Sequence, residues 1–194
     1  MKPFKRRRRG GIFATFEPAE AHMLANLSGQ VVELLRDRNG VSESEPDPLF
    51  AQVGMTGPLM PPDDPVLRRL LPDAYRDDPD DAAEFRRYTE QSLSAAKVSN
   101  AELMIGSLVD GGLSFDESDL ESTKQIEVEL DAETVQAWLR SLTDIRLSLA
   151  VRLGIETDED LMLVGASEDE AISAMAEIYD WLGYVQESLV TSLS

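Results

Sequence analysis

Apolar and small residues alternate over Ile12–Phe16, directly after Gly10-Gly11, and this period of two predicts a short strand. Glu17-Pro18-Ala19-Glu20 then opens a helix, with proline in the first turn, where its missing N–H removes no intrahelical bond. Met23, Leu24, Leu27, Val31, Leu34 and Leu35 recur at spacings of three and four, so one face of this helix packs inward. It runs to about Arg38, and Asn39-Gly40 supplies the stop.

Residues 41–82 break the rhythm. Eight of the ten prolines fall there, mixed with Asp and Glu, and long helices do not survive such spacing. Two apolar islands, Leu49–Val53 and Pro65–Pro72, are each expected to form a helical turn or two pinned on the core. The acidic patch Asp77-Asp78-Pro79-Asp80-Asp81 suits the positive end of a following helix. That helix is predicted from about Asp80 to Val109, carrying Phe85, Tyr88, Leu93, Val98, Leu103, Ile105 and Leu108, with a kink or a hand-over of faces near Ser99-Asn100. Asp110-Gly111-Gly112 ends it, and an acidic loop is expected to about Thr123.

Gln125–Leu130 sets Ile126, Val128 and Leu130 against Glu127 and Glu129, the clearest strand pattern in the chain. Asp131 follows as an N-cap, and Val135, Trp138, Leu139, Leu142, Ile145, Leu149 and Leu153 mark a helix ending at Gly154. A last helix from about Glu168 to Leu193 carries Ile172, Met175, Ile178, Tyr179, Leu182, Val185, Leu189 and Leu193. A lone strand leaves its backbone groups unpaired, so the two strands are expected to pair as a ribbon. The fold expected is mainly α: a single-domain helical bundle over 12–194 with a small two-stranded β-ribbon, preceded by a basic flexible tail over 1–11 and interrupted by the Pro/acidic segment at 41–82.

Charge sharpens this division. Lys2, Lys5, Arg6, Arg7, Arg8 and Arg9 are six of the 18 basic residues, and the remaining 12 face 37 acidic ones, so a net charge of −19 conceals a body of −25. Such a body repels nucleic acid and anionic membranes, whereas the tail attracts them. Lys5-Arg6-Arg7-Arg8-Arg9 is therefore the candidate contact to nucleic acid or to an acidic partner; the plain alternative is a solvated terminus that touches its own acidic body. No apolar run is long enough to span a bilayer, and the stretch after the basic start is too short for a signal segment, so the chain is expected in the cytoplasm with no membrane partner.

The chemistry available is narrow. With no cysteine there is no disulfide, thiolate zinc site, cysteine nucleophile or thiol sensor in these residues. His22 is the one histidine, which removes histidine clusters and Ser-His-Asp arrangements, and no calcium-type Asp-x-Asp-x-Asp-Gly loop or phosphate-cradling glycine loop occurs. No catalytic residue, metal or cofactor is assigned, and the chain is expected not to be an enzyme. Arg140, Asp144 and Arg146 are expected as a polar network on one helix, and Trp181 and Tyr184 as core rather than a partner surface.

Several blocks carry a resemblance. They are Phe16-Glu17-Pro18-x-Glu20 with Leu24-x-Asn26-Leu27, the stretch Asp64–Arg76, Ala137–Leu147, and Tyr179-Asp180-Trp181-Leu182-x-x-Val185-Gln186-Glu187-Ser188-Leu189. Together they resemble the actinobacterial family known as domain of unknown function 2017, over most of the chain. Members of that family are commonly encoded beside the Clp protease adaptor ClpS and a cysteine-biosynthesis cluster, and the family includes an actinomycete oxidative stress regulator acting on transcription. The resemblance implies a regulatory binding protein acting through protein partners such as a sigma factor or RNA polymerase. A direct DNA-binding regulator and an adaptor in Clp proteolysis are the alternatives. It also marks the Leu-Arg-Arg-Leu-Leu-Pro block as a docking candidate, with Leu67, Arg68, Arg69, Leu70 and Tyr75 as its residues.

Overall fold

The computed structural model describes residues 1–7, 10–40, 58–75, 77–115 and 124–194. In chain order the elements are β1 (Lys2–Arg6), β2 (Ile12–Phe16), α1 (Pro18–Gly40), α2 (Pro65–Leu70), α3 (Pro79–Asp110), β3 (Ile126–Leu130), α4 (Ala132–Leu153), α5 (Asp158–Gly165) and α6 (Glu170–Thr191). The architecture is mainly α, six helices among the described residues with one small antiparallel sheet in the order β1-β2-β3.

The expected pairing of the two strands is present: Ile12 faces Leu130 and Phe16 faces Ile126. The ribbon, however, has a third strand. Residues 2–6 are not a flexible tail but pair antiparallel with β2, Lys5 opposite Phe13 and Arg6 opposite Ile12, with a bulge between Lys2 and Lys5. The physical reason is Phe4, which points inward with 5% exposure. Its ring lies edge-on to Phe16 (6.0 Å, 70°) and to Trp138 (5.5 Å, 80°), while Phe16 and Trp138 stack at 5.6 Å. One buried aromatic outweighs the solvation of the charges on either side of it, because those charges stay in water on the strand's other positions.

The inner face of the sheet, Ile12, Ala14, Phe16, Ile126, Val128 and Leu130, joins a core supplied by α1, α2, the second half of α3, α4 and α6. Val66, Leu67 and Leu70 of α2 belong to that core, so this island is pinned as expected, with Asp64 Oδ1 accepting from the N–H groups of Val66 (2.7 Å) and Leu67 (3.0 Å). The other island, Leu49–Val53, lies outside the described residues, as does much of the acidic loop before Thr123.

In α3 the inward face differs from the expected one. Phe85, Tyr88 and Leu93 are exposed, and the buried positions are Ala82, Arg86, Glu90, Ser94, Ala101, Met104 and Leu108. These recur at three, four and seven residues, so one stripe continues along the helix without a change of face at Ser99-Asn100. The first half of the stripe is polar. It is made tolerable by ion pairs: Arg38 Nε donates to Glu90 Oε1 at 2.8 Å, and Arg86 is paired with Asp73 and lies 3.7 Å from Glu90 Oε2. A short helix, α5, was also not foreseen. Its start is a reciprocal capping box between Thr157 and Asp160, and it buries no residue.

Candidate partner-binding surfaces

The basic residues near the start are carried by the sheet. Lys5 and Arg6 are exposed on β1, and Arg7 closes the turn into β2 by exchanging backbone bonds with Gly10 and Gly11, each 3.1 Å. Both glycines have positive φ, 91° and 81°, a conformation in which a side chain is strained. Arg7 then folds over the outer face of the sheet, where Glu127 and Glu129 alternate out of β3. Its guanidinium donates to Glu127 Oε1 at 2.6 Å and Glu129 Oε2 at 3.2 Å and lies 4.8 Å from the centre of the Phe13 ring. Arg7 is thus bound to the chain's own acidic surface. Arg8 and Arg9 lie outside the described residues.

Next to this turn, an open cleft of about 1160 Å³ runs between the sheet, the second half of α3 and the start of α4. Its walls carry five carboxylates, Glu102, Asp110, Glu127, Glu129 and Asp131, and Arg6 is the single cation among its described lining residues. Ile12, Leu103, Leu130, Val135 and Leu193 supply apolar surface between them. Gly111 fixes how closely the two walls meet at one end: a Cβ there would stand 2.7 Å from the carbonyl oxygen of Glu127. At the α4 end, Asp131 accepts from Thr134 N at 2.9 Å while Thr134 Oγ1 accepts from Asp131 N at 3.1 Å. The Thr134 hydroxyl also donates to Asp131 Oδ1, and that bond foremost, with the one from Thr134 N, holds the Asp131 carboxyl below the usual carboxylate range. The cleft therefore stays negative down to unusually low pH at that point.

The docking block divides in two. Leu67 and Leu70 are buried and serve the core, whereas Arg68 and Arg69 are exposed, Arg68 Nε donating to the Pro62 carbonyl at 2.6 Å. Tyr75 is half-exposed and meets Phe85 edge-on at 6.0 Å. Sequence reasoning missed Phe85 and Leu93 as surface residues, since an aromatic at helical spacing reads as core unless the polar stripe beside it is known to be buried.

The polar network expected within α4 has another partner. Asp144, 5% exposed, takes its bond from Lys97 Nζ of α3 at 2.5 Å, and Arg146 turns to α6, donating to Gln186 Oε1 at 2.9 Å and covering the Tyr179 ring. Helical period alone does not say which neighbouring helix supplies a cation. Trp181 is partly buried against the core, while Tyr184 points outward. Half-buried His22 touches Phe115 edge-on at 5.9 Å. Among the described residues, no group of three or more His, Cys, Asp or Glu is placed to hold a metal, and no helix is long and apolar enough to cross a membrane.

The sequence model of a family described as domain of unknown function (DUF2017) matches residues 1–193. Proteins named oxidative stress regulator AosR in Mycobacterium tuberculosis strain H37Rv and in Mycobacterium bovis are each 34% identical over 194 residues, which covers 93% of this chain and 81% of theirs. A Mycobacterium leprae protein under the AosR name is 30% identical over 179 residues, 91% of this chain and 79% of that one. No solved structure matches the chain.

Proposed function

This chain belongs to the DUF2017 family, and from that membership we propose that it is a non-enzymatic regulatory binding protein of the oxidative-stress response. It works in the cytoplasm through protein partners of the transcription machinery, a sigma factor or RNA polymerase. Regulation is what the names of its mycobacterial relatives state of them. The mode of action is supported by one observation, the open cleft whose described walls carry five carboxylates against Arg6; with Glu127 and Glu129 paired to Arg7 and Glu102 to Arg36, an excess of two negative charges is left. Its size and apolar patches suit a polypeptide segment, and its charge selects a basic one and accelerates the encounter. With no cysteine among its 194 residues, the chain receives the oxidant signal through its partner rather than through a thiol of its own. The DNA-binding alternative has fewer free cations to draw on than the sequence promises, because Arg7 is held by Glu127 and Glu129.

Affinity purification of the tagged chain from oxidant-treated actinobacterial cells, read by mass spectrometry, tests this. The expected result is recovery of a transcription protein, weakened by salt and lost in a variant carrying Asp110→Lys and Gln136→Lys, two exposed residues of the cleft wall. Recovery of no transcription protein by the unmodified chain rejects the reading. Recovery of the ClpS–protease machinery instead moves it to the adaptor role.

A further inference from the structure

Helix α5 closes on a turn that is apolar on every side. Successive helical residues are rotated by about 100°, so Leu161, Met162, Leu163 and Val164 point in four directions around the axis. A helix surface that is apolar all round belongs in an interior. Yet α5 buries none of its residues. Leu161 and Val164 are half-buried on the side where α5 packs on α6, whereas Met162 and Leu163, on the outer side, are 75% and 72% exposed. Fraying does not account for this, because both ends of the helix are held. Thr157 and Asp160 form its capping box, and Ser173 Oγ of α6 donates to the Gly165 carbonyl at 3.5 Å. Met162 and Leu163 therefore stand on a formed surface with nothing over them among the described residues.

Charge decides what fits there. Asp158 and Glu159 are exposed one turn before Met162 and Leu163, on the same outer side. Glu156, Glu168, Asp169 and Glu170 are exposed in the segments that flank the helix, and no Lys or Arg follows Arg152 in the chain. A second copy of this chain would set these carboxylates against their own like, and an anionic membrane would repel them in the same way. A cationic surface with an apolar centre satisfies both the carboxylates and the apolar pair. The exposed side of a helix offers ridges and grooves that a second helix fills, and the unbranched Met162 side chain adapts to such a fit.

We propose that the outer side of α5 is a docking surface for a basic amphipathic helix of a protein partner. The apolar stripe of that helix covers Met162 and Leu163, and Lys or Arg beside the stripe reach Asp158, Glu159 and the carboxylates around them. This surface is distinct from the cleft and does not depend on what the cleft binds. Ser192 and Leu193, which line the cleft, stand at the far end of α6, roughly 30 Å along its axis from the end that meets Gly165.

The test uses the full chain labelled with nitrogen-15 and a helical peptide made of two repeats of Leu-Lys-Lys-Leu-Leu-Lys-Leu. Amide shifts are expected on residues 155–175, and the affinity is read from those shifts. Met162→Glu combined with Leu163→Glu changes exposed positions only, so the melting temperature is expected to hold while the affinity at this surface falls about tenfold or more. The pair adds negative charge, so attraction by charge alone would instead strengthen. Asp158→Asn combined with Glu159→Gln is expected to weaken binding and to reduce its salt dependence. Absence of shifts on residues 155–175, shifts confined to the cleft, or affinity unchanged or raised by the Glu pair overturns the proposal. So does a dimer of the chain alone, seen in sedimentation, that the Glu pair dissolves.

Discussion

Asp144 is a carboxylate kept in a nearly closed site with Lys97 as its cation. Burial raises its pKa above the usual 3.8, and the hydrogen bond and charge of Lys97 offset only part of that. The folded state therefore binds this proton more readily than the unfolded chain does. The corresponding stabilisation is complete below pH 3.8 and disappears as pH rises through the higher folded value. In urea titrations across that window, the stability of the unmodified chain relative to Asp144→Asn is expected to increase as pH falls; a difference that shrinks with acid would contradict the assignment. The exposed caps Asp131 and Asp160 have lowered pKa values, held down foremost by side-chain bonds from Thr134 and Thr157, so they act in the opposite sense. Their contribution is present above pH 3.8 and is lost as pH falls through their folded values. Glu90 lies between Arg38 and Arg86, and Glu90→Ala leaves the largely buried Arg38 without its carboxylate while Arg86 keeps Asp73, at a cost of about 3–5 kcal/mol in chemical denaturation. Trp138→Ala opens the aromatic cluster beneath the sheet and frees the Ser107 hydroxyl that accepts its Nε1–H at 2.8 Å; a loss of about 3–5 kcal/mol is expected by the same measurement. Trp138 was legible as core from its spacing. Arg86 and Glu90 were not, because burial of a charge depends on partners contributed by α1 and by the Pro-rich segment.

At the scale of elements, the parts that could be read were those whose pattern is local. The strand Ile126–Leu130 and its Asp131 cap carry period and cap within ten residues, and α1, α4 and α6 carry long apolar stripes. The misjudged elements owe their form to distant contacts: β1 needs the cluster of Phe16 and Trp138, and the polar half of α3 needs Arg38 and Asp73. Of the candidate site residues, the sequence located Tyr75 on a surface but placed Leu67 and Leu70 there too, since a six-residue helix is too short to show which side faces in. The approach of α3 to β3 gives a direct check. Gly111→Ala forces a methyl group against the Glu127 backbone, which has no side-chain freedom with which to yield, and about 1–3 kcal/mol of stability is expected to be lost. The next residue, Gly112 at φ 106°, sits in the region that favours glycine and lets the chain leave the helix. Asp64→Ala removes the cap of α2 and is expected to cost about 0.5–2 kcal/mol, seen as a lower thermal midpoint.

For the molecule as a whole, the basic stretch has two roles that a simple truncation confuses. Removing residues 1–9 takes away the charges, but it also withdraws Phe4 from the core and strips β2 of one of its two partners. Such a truncation is expected to lower the melting temperature, so any loss of binding it causes says little about charge. Replacing Lys5 and Arg6 by Gln leaves Phe4 in place and is expected to keep the melting temperature while changing only the salt dependence of association.

The pairing of Phe16 with Ile126 joins positions more than a hundred residues apart. During synthesis, β2 emerges with β1 already present but long before its other neighbour, β3, exists, and the apolar side bearing Ile12, Ala14 and Phe16 has no permanent cover in that interval. Helix α1 and the β1–β2 pairing can form at once from local contacts, whereas the third strand must wait for nearly two thirds of the chain. Assembly is therefore expected to run from the local β1–β2 hairpin and the helices to the complete sheet, with the edge strand β3 joining last, and the nascent protein is most open to chaperones and to aggregation during that wait.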